Sequence, residues 1–228
     1  MLASNILDIV TLAIILLIAI SLHEYSHAYV SYRLWDPTPK LQWRLTTNPL
    51  KHIDPIWFLM IFLIWFWWWK PVQINPSYYK NPLKWELLVA LAGPAMNLVL
   101  AIAGIFVMLV SAKLTWLEFW SIKTIVESIM YNRIMMWPNF MVRILAEFSL
   151  LNIILAVFNM IPIPPLDGFS IVKMLFPKFT TMIQPYTRYV TIWFLLLLFF
   201  WSPFSNFLRH ARNTIFILLF TFFANIFY

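Results

Sequence analysis

The sequence predicts an all-α polytopic membrane protein, and three observations carry that prediction. Of 228 residues, 62% are hydrophobic and only 11% are charged, whereas soluble domains carry about 25% charged residues to meet water. The apolar residues come in long blocks, Ile6–Leu22, Leu87–Val110, Leu145–Ile161 and Val190–Trp201, and about 17–25 such residues cross the hydrocarbon core as a helix. The net charge of +7 is spread between these blocks. That pattern suits the basic bias of loops flanking membrane spans and not a stripe that would grip nucleic acid. About five to six hydrophobic segments are expected, with short re-entrant or extended elements between them. They form one domain over residues 1–228, with a core at about 5–177 and C-terminal membrane segments at about 188–228.

Composition removes several kinds of chemistry. There are no cysteines and only three glycines, Gly93, Gly104 and Gly168. Disulfides, thiol nucleophiles and thiolate ligands are therefore excluded, as is a Gly-rich phosphate loop. The N-terminus lacks the basic flank of a cleaved signal peptide, and its apolar stretch runs directly into His23-Glu24-Tyr25-Ser26-His27.

Taken in order, the first helix runs proline-free from about Asn5 to Trp35, and Asp36-Pro37-Thr38-Pro39 stops it. Lys40–Thr46 alternates and reads as a short strand. The block Ile56–Trp69 holds about fourteen residues, short for a full crossing. Lys70–Asn75 is a second extended candidate, followed by the helix that carries Ala92-Gly93-Pro94-Ala95-Met96-Asn97. Between Ser111 and Arg143, aromatic and charged residues interleave as in an interfacial helix. A further span ends near Asn159, where Pro162, Pro164 and Pro165 must break it. The last apolar blocks are Tyr189–Trp201 and Thr214–Tyr228, the latter short enough to lie on the interface.

The chemistry starts in the first helix. Positions four apart share a helical face, so His23 and His27 offer two imidazoles to one metal, with Glu24 beside them. That is the HExxH spacing of zinc proteases, two ligands and a general base. On a charged soluble helix coincidence would compete. Within a membrane span, an ionised carboxylate costs roughly 2.5–3.5 kcal/mol even on lenient insertion scales, and function is the better account. Asp167 is the strongest candidate for a third ligand. It follows a proline-broken helix end at membrane depth, where irregular backbone is tolerated only if buried in protein or lining a watery cavity. Asp8, Asp36, Asp54 and Glu86 compete less well, at the far end of the first helix or flanking loops. Asn159, just before the break, offers a donor and an acceptor at the same depth.

These motifs resemble the site-2 protease family of zinc intramembrane metalloproteases, in its short bacterial form without a PDZ domain. The resemblance rests on His23–His27, on Ala92–Asn97 and on Asn159 through Gly168, and spans about residues 5–177. It implies one zinc per chain bound by His23, His27 and Asp167, with Glu24 as catalytic base. Asn159, and also Asn97, would hold substrate or oxyanion. Tyr25-Ser26 keeps the small second residue usual within the zinc motif, whereas Trp65-Phe66-Trp67-Trp68-Trp69 departs from the family where glycine is usual. His52, within Asn48–Pro55, also resembles the short-form family. As a residue it reads more readily as an interfacial histidine bonding the backbone than as a ligand.

Sidedness follows from geometry. For HExxH to meet Asp167, their two helices must run in the same direction with one antiparallel helix between, so Ile56–Trp69 should be re-entrant. The shared side carries Arg33, Lys40, Arg44, Lys51, Lys70, Lys80, Lys84, Lys173 and Lys178 and should be cytoplasmic. The expected protein sits in a bacterial cytoplasmic membrane and cleaves transmembrane segments of membrane-protein substrates, with the bilayer and that substrate as partners and no nucleic acid. The rival readings are an ion or proton transporter using the buried His/Asp cluster, and a catalytically inactive scaffold.

Overall fold

The computed structural model describes residues 6–52, 72–114, 122, 124, 127, 140–200 and 202–227. Ile56–Trp69 and most of Ser111–Arg143 lie outside these residues. Among the described residues the regular structure is all helical: α1 (Ile6–Arg33), α2 (Thr38–Leu41), α3 (Pro82–Leu114), α4 (Phe140–Asn159), α5 (Phe169–Leu175), α6 (Pro177–Ile183), α7 (Thr187–Phe200) and α8 (Ser202–Phe227). Among the described residues, four helices are long and apolar enough to cross a bilayer: Asp8–Arg33 within α1, α3, α4 and α8. At 14 residues, α7 falls short of the roughly 20 a crossing needs. The C-terminal block is longer than its apolar part suggests, because α8 begins at Ser202 and continues for 26 residues.

Helix ends follow local chemistry. α3 starts with Pro82 in its first turn, where a missing N–H costs nothing, behind Asn81, whose side chain accepts from Lys84 N at 3.3 Å. α4 stops at Asn159, three residues before Pro162. The ends of α1 and α2 are unusual. Trp35 and Trp43 both adopt left-handed backbone, with φ of 73° and 58°, where glycine is the usual occupant. After α1, Asp36 N bonds Ser31 O at 3.1 Å and Trp35 N bonds Tyr32 O at 3.1 Å. After α2, Arg44 N bonds Pro39 O at 2.8 Å and Trp43 N bonds Lys40 O at 3.0 Å. Each is a Schellman turn, closed by a tryptophan at a cost of roughly 1–2 kcal/mol. The expected strand over Lys40–Thr46 is thereby overturned: Pro39 sits in the first turn of α2 and the second turn breaks any extended register.

The chain divides into two compact units. One comprises Met1–Leu16, Asn97–Phe158 and Leu198–Tyr228. Its core draws Ala101, Ile105, Met108 and Ala112 from one face of α3, Val142, Ala146, Leu150 and Ile153 from α4, and Phe216, Phe220 and Ala224 from α8. The spacing is helical in each case. Small residues let helices approach where lipid offers no hydrophobic driving force, and Gly104 is the tightest example. A Cβ there would stand 2.3 Å from Ser149 Oγ. The other unit comprises Leu17–Met96 and Asn159–Leu197 and holds the candidate site.

Candidate metal centre

His23, Glu24 and His27 are buried on α1. The two Nε2 atoms lie 3.0 Å apart, with the rings nearly perpendicular at 82°. Asp167 Oδ2 lies 3.2 Å from His23 Nε2 and 3.4 Å from His27 Nε2. Zinc–nitrogen and zinc–oxygen bonds of about 2.0–2.2 Å in a tetrahedron place ligand atoms about 3.3–3.5 Å apart. The triangle is therefore close to one tetrahedral face, and it leaves a fourth position for a non-protein ligand.

Three details test whether these residues suit a cation. Asp167 Oδ2 is buried and accepts no well-formed hydrogen bond, a costly state for an oxygen that has no further use. His27 Nδ1 lies 2.7 Å from Val89 O. Donating there fixes the tautomer and turns the Nε2 lone pair towards His23 and Asp167. Finally, Gly93 stands directly against both rings. A Cβ would lie 2.4 Å from His27 Nε2 and 2.5 Å from His23 Nε2, so only glycine lets α3 pass this close. The donor set and its cradle fit a zinc ion.

The loop after α4 delivers Asp167. Gly168 N bonds Asn159 O at 2.7 Å, folding the chain back onto the helix end, and a Cβ at Gly168 would stand 2.3 Å from Met160 O. The Pro164–Pro165 peptide is cis, and Thr191 Oγ1 reaches Pro164 O at 3.3 Å. Glu24 is held from another direction: its Oε2 accepts from Val72 N at 2.9 Å.

A profile of peptidase family M50 matches residues 55–201, more than half of the chain. The chain belongs to peptidase family M50. Two curated bacterial relatives named "Putative zinc metalloprotease" agree. YwhC of Bacillus subtilis is 33% identical over 73% of this chain and 69% of its own length. Rip2 of Mycolicibacterium smegmatis is 28% identical over 68% of this chain and 52% of its own, so the chain spans about half of that relative. No solved structure matches significantly. These findings bear out the site-2 protease resemblance, in an integral membrane protein with a buried His/His/Asp cluster able to coordinate a metal. The span matched to M50 contains Gly93, Asn159 and Asp167, and the HExxH segment precedes it.

The other sequence-derived residues fall in different places. Asn159 is buried and contributes its backbone oxygen to the Gly168 turn. Asn97 lies in the other unit, where its amide donates to Asn152 Oδ1 at 2.9 Å. His52 is fully buried with Nε2 2.7 Å from Thr46 O. Burial pushes this imidazole down and Arg44 adds to the effect, so it is neutral and donates to that carbonyl. Among the competing acids, Asp8 pairs with Arg143 at 2.6 Å and Glu86 with Lys173 at 2.5 Å. Asp54 lies outside the described residues. Sequence reasoning missed the contacts of Val72, Val89 and Gly93 with the site. Gly93 alone left a signal, as one of three glycines in 228 residues, set inside an apolar helix.

Proposed function

We propose that this chain is a zinc-dependent intramembrane endopeptidase that cleaves transmembrane segments of membrane proteins near the cytoplasmic side. The observation that carries the reading is the triangle of His23, His27 and Asp167 under Gly93, in a chain of the M50 family. One zinc per chain is held by those three side chains. When bound, zinc polarises a peptide carbonyl and acidifies water. The protein's own groups do the rest. Val89 O holds the His27 ring and Gly93 keeps both rings in place. Glu24, anchored through one oxygen by Val72 N–H, keeps the other oxygen to take the proton of the attacking water and return it to the leaving amine. Asn159 contacts the substrate backbone or the developing oxyanion, and Asn97 and His52 support the surrounding fold.

A helical peptide bond is shielded by its own backbone, so the substrate must be unwound locally. The segment from Val72 to Asn75 lies outside any helix and offers a backbone edge on which such a strand can pair. Basic residues at Arg33, Lys40, Arg44, Lys51, Lys80 and Lys84 support a cytoplasmic orientation for this side. In this reading the whole chain is one protease domain with five to six membrane segments, in a bacterial cytoplasmic membrane, with Ile56–Trp69 re-entrant. The test is Glu24→Gln in purified protein, assayed for bound zinc and for cleavage of a model transmembrane peptide. Zinc should stay at the wild-type level while cleavage falls by about 10²–10⁴-fold. Normal turnover would remove Glu24 from the mechanism, and an uncleaved peptide with wild-type protein would favour ion transport.

A further inference from the structure

Asp36 is a buried acid that the metal chemistry does not use. It is completely shielded from solvent, and burying a lone carboxylate costs several kcal/mol unless donors compensate. Three do. Ser31 Oγ donates to Oδ2 at 2.8 Å, Asn75 N donates to Oδ2 at 2.8 Å, and Thr38 N donates to Oδ1 at 2.9 Å. Burial raises the Asp36 carboxyl, and the Thr38 hydroxyl together with the bonds from Asn75 N, Thr38 N and Ser31 more than reverses the effect. Ser31 continues the face of α1 that carries His23 and His27, four residues on from His27, and its Oγ lies 2.8 Å from Tyr79 OH. Asp36 itself is placed by the Schellman turn at Trp35, where strained backbone is kept in a tryptophan. Such strain points to a position that must be fixed.

Asn75 is the residue that matters next. Its amide is bound to Asp36, and three residues earlier the amide of Val72 is bound to Glu24. One short segment is thus fastened by two carboxylates, Glu24 on α1 and Asp36 in the turn after it, the first of them the proposed base. Three residues reach at most about 10 Å when extended, and Asn75 is extended, with φ −121° and ψ 98°. A segment this short cannot absorb a shift at one end as slack, so a displacement at Asn75 is passed to Val72 N–H.

We propose that Asp36 is a positioning residue for catalysis: through Asn75 it sets the Val72 amide, and that amide orients the Glu24 carboxylate. The inference rests on Glu24 being the base. The test uses the full chain, with zinc content, kcat and KM measured on a model transmembrane peptide. Asp36→Ala should retain zinc and KM and lose about 10- to 100-fold in kcat, the effect of a displacement of about 1 Å at a reacting group. Asp36→Asn keeps an acceptor for Asn75 N–H and should recover much of that loss. It also serves if Asp36→Ala does not fold. Val72→Pro deletes the linking N–H. In that background Asp36→Ala should add little, because the two act through one bond. Full additivity, a wild-type kcat per bound zinc in Asp36→Ala, or a kcat loss that only tracks lost zinc would each overturn the inference. Glu24→Gln, measured alongside, separates the cases. If it is inactive while Asp36→Ala is normal, only the role of Asp36 fails, and if it is active, the base assignment itself fails.

Discussion

The two compact units bury their interiors in opposite ways. In the unit built on α3, α4 and α8, the shielded side chains are alanines, aliphatics and phenylalanines at helical spacing, with polar exceptions such as the Asn97–Asn152 pair. In the unit that holds the site, the shielded residues include His23, Glu24, His27, Ser31, Asp36, Arg44 and His52. The first interior is held by shape. The second is held by satisfying donors and acceptors, and it leaves one oxygen, Asp167 Oδ2, aimed at two imidazoles without a well-formed bond. The comparison teaches where a change should register: as stability in the first unit and as metal or turnover in the second.

The largest expected effect is at Gly93. Gly93→Ala drives a methyl to within 2.4 Å of His27 Nε2, so bound zinc and cleavage should both fall to background while the protein remains in the membrane and folded. Wild-type zinc in that variant would break the contrast at its sharpest point. In the other unit, Ile153→Ala removes a fully buried side chain from the α4 face. It should cost about 2–5 kcal/mol of stability, read as a lower unfolding midpoint in detergent, with zinc per folded chain unchanged. The smallest effect is at Trp35, which is 75% exposed in left-handed backbone. Trp35→Gly removes the steric cost of that conformation, about 1–2 kcal/mol, offset by about 0.5–1 kcal/mol from the greater freedom of glycine in the unfolded chain. A net stabilisation of about 0–1.5 kcal/mol is expected, read from the unfolding midpoint, and zinc should be untouched.

Much of the site was legible because its spacing is periodic. His23 and His27 sit one helical turn apart and Glu24 lies between them, while three prolines mark where Asp167 must leave the helix. The membrane class followed from block length and charge in the same direct way, and α8 was underestimated because its first turns are polar. What was not legible depends on contacts between distant segments. Nothing local says that Val72 N–H reaches Glu24 or that Gly93 faces two imidazoles. Lys40–Thr46 misled because a seven-residue alternation does not separate strand from turn, and because left-handed backbone is expected at Gly or Asn and not at Trp35 or Trp43. Asp36 looked like an ordinary loop acid for the same reason: the turn that buries it has no sequence signature.

The central claim is that His23, His27 and Asp167 form one zinc site, and metal stoichiometry tests it most directly. Purified wild-type protein should carry about one zinc per chain, as the one three-ligand cluster among the described residues requires. X-ray absorption should show two imidazoles and one carboxylate oxygen among its ligands. The His23→Ala, His27→Ala double variant should carry none. Zinc that persists unchanged in that variant would contradict the account.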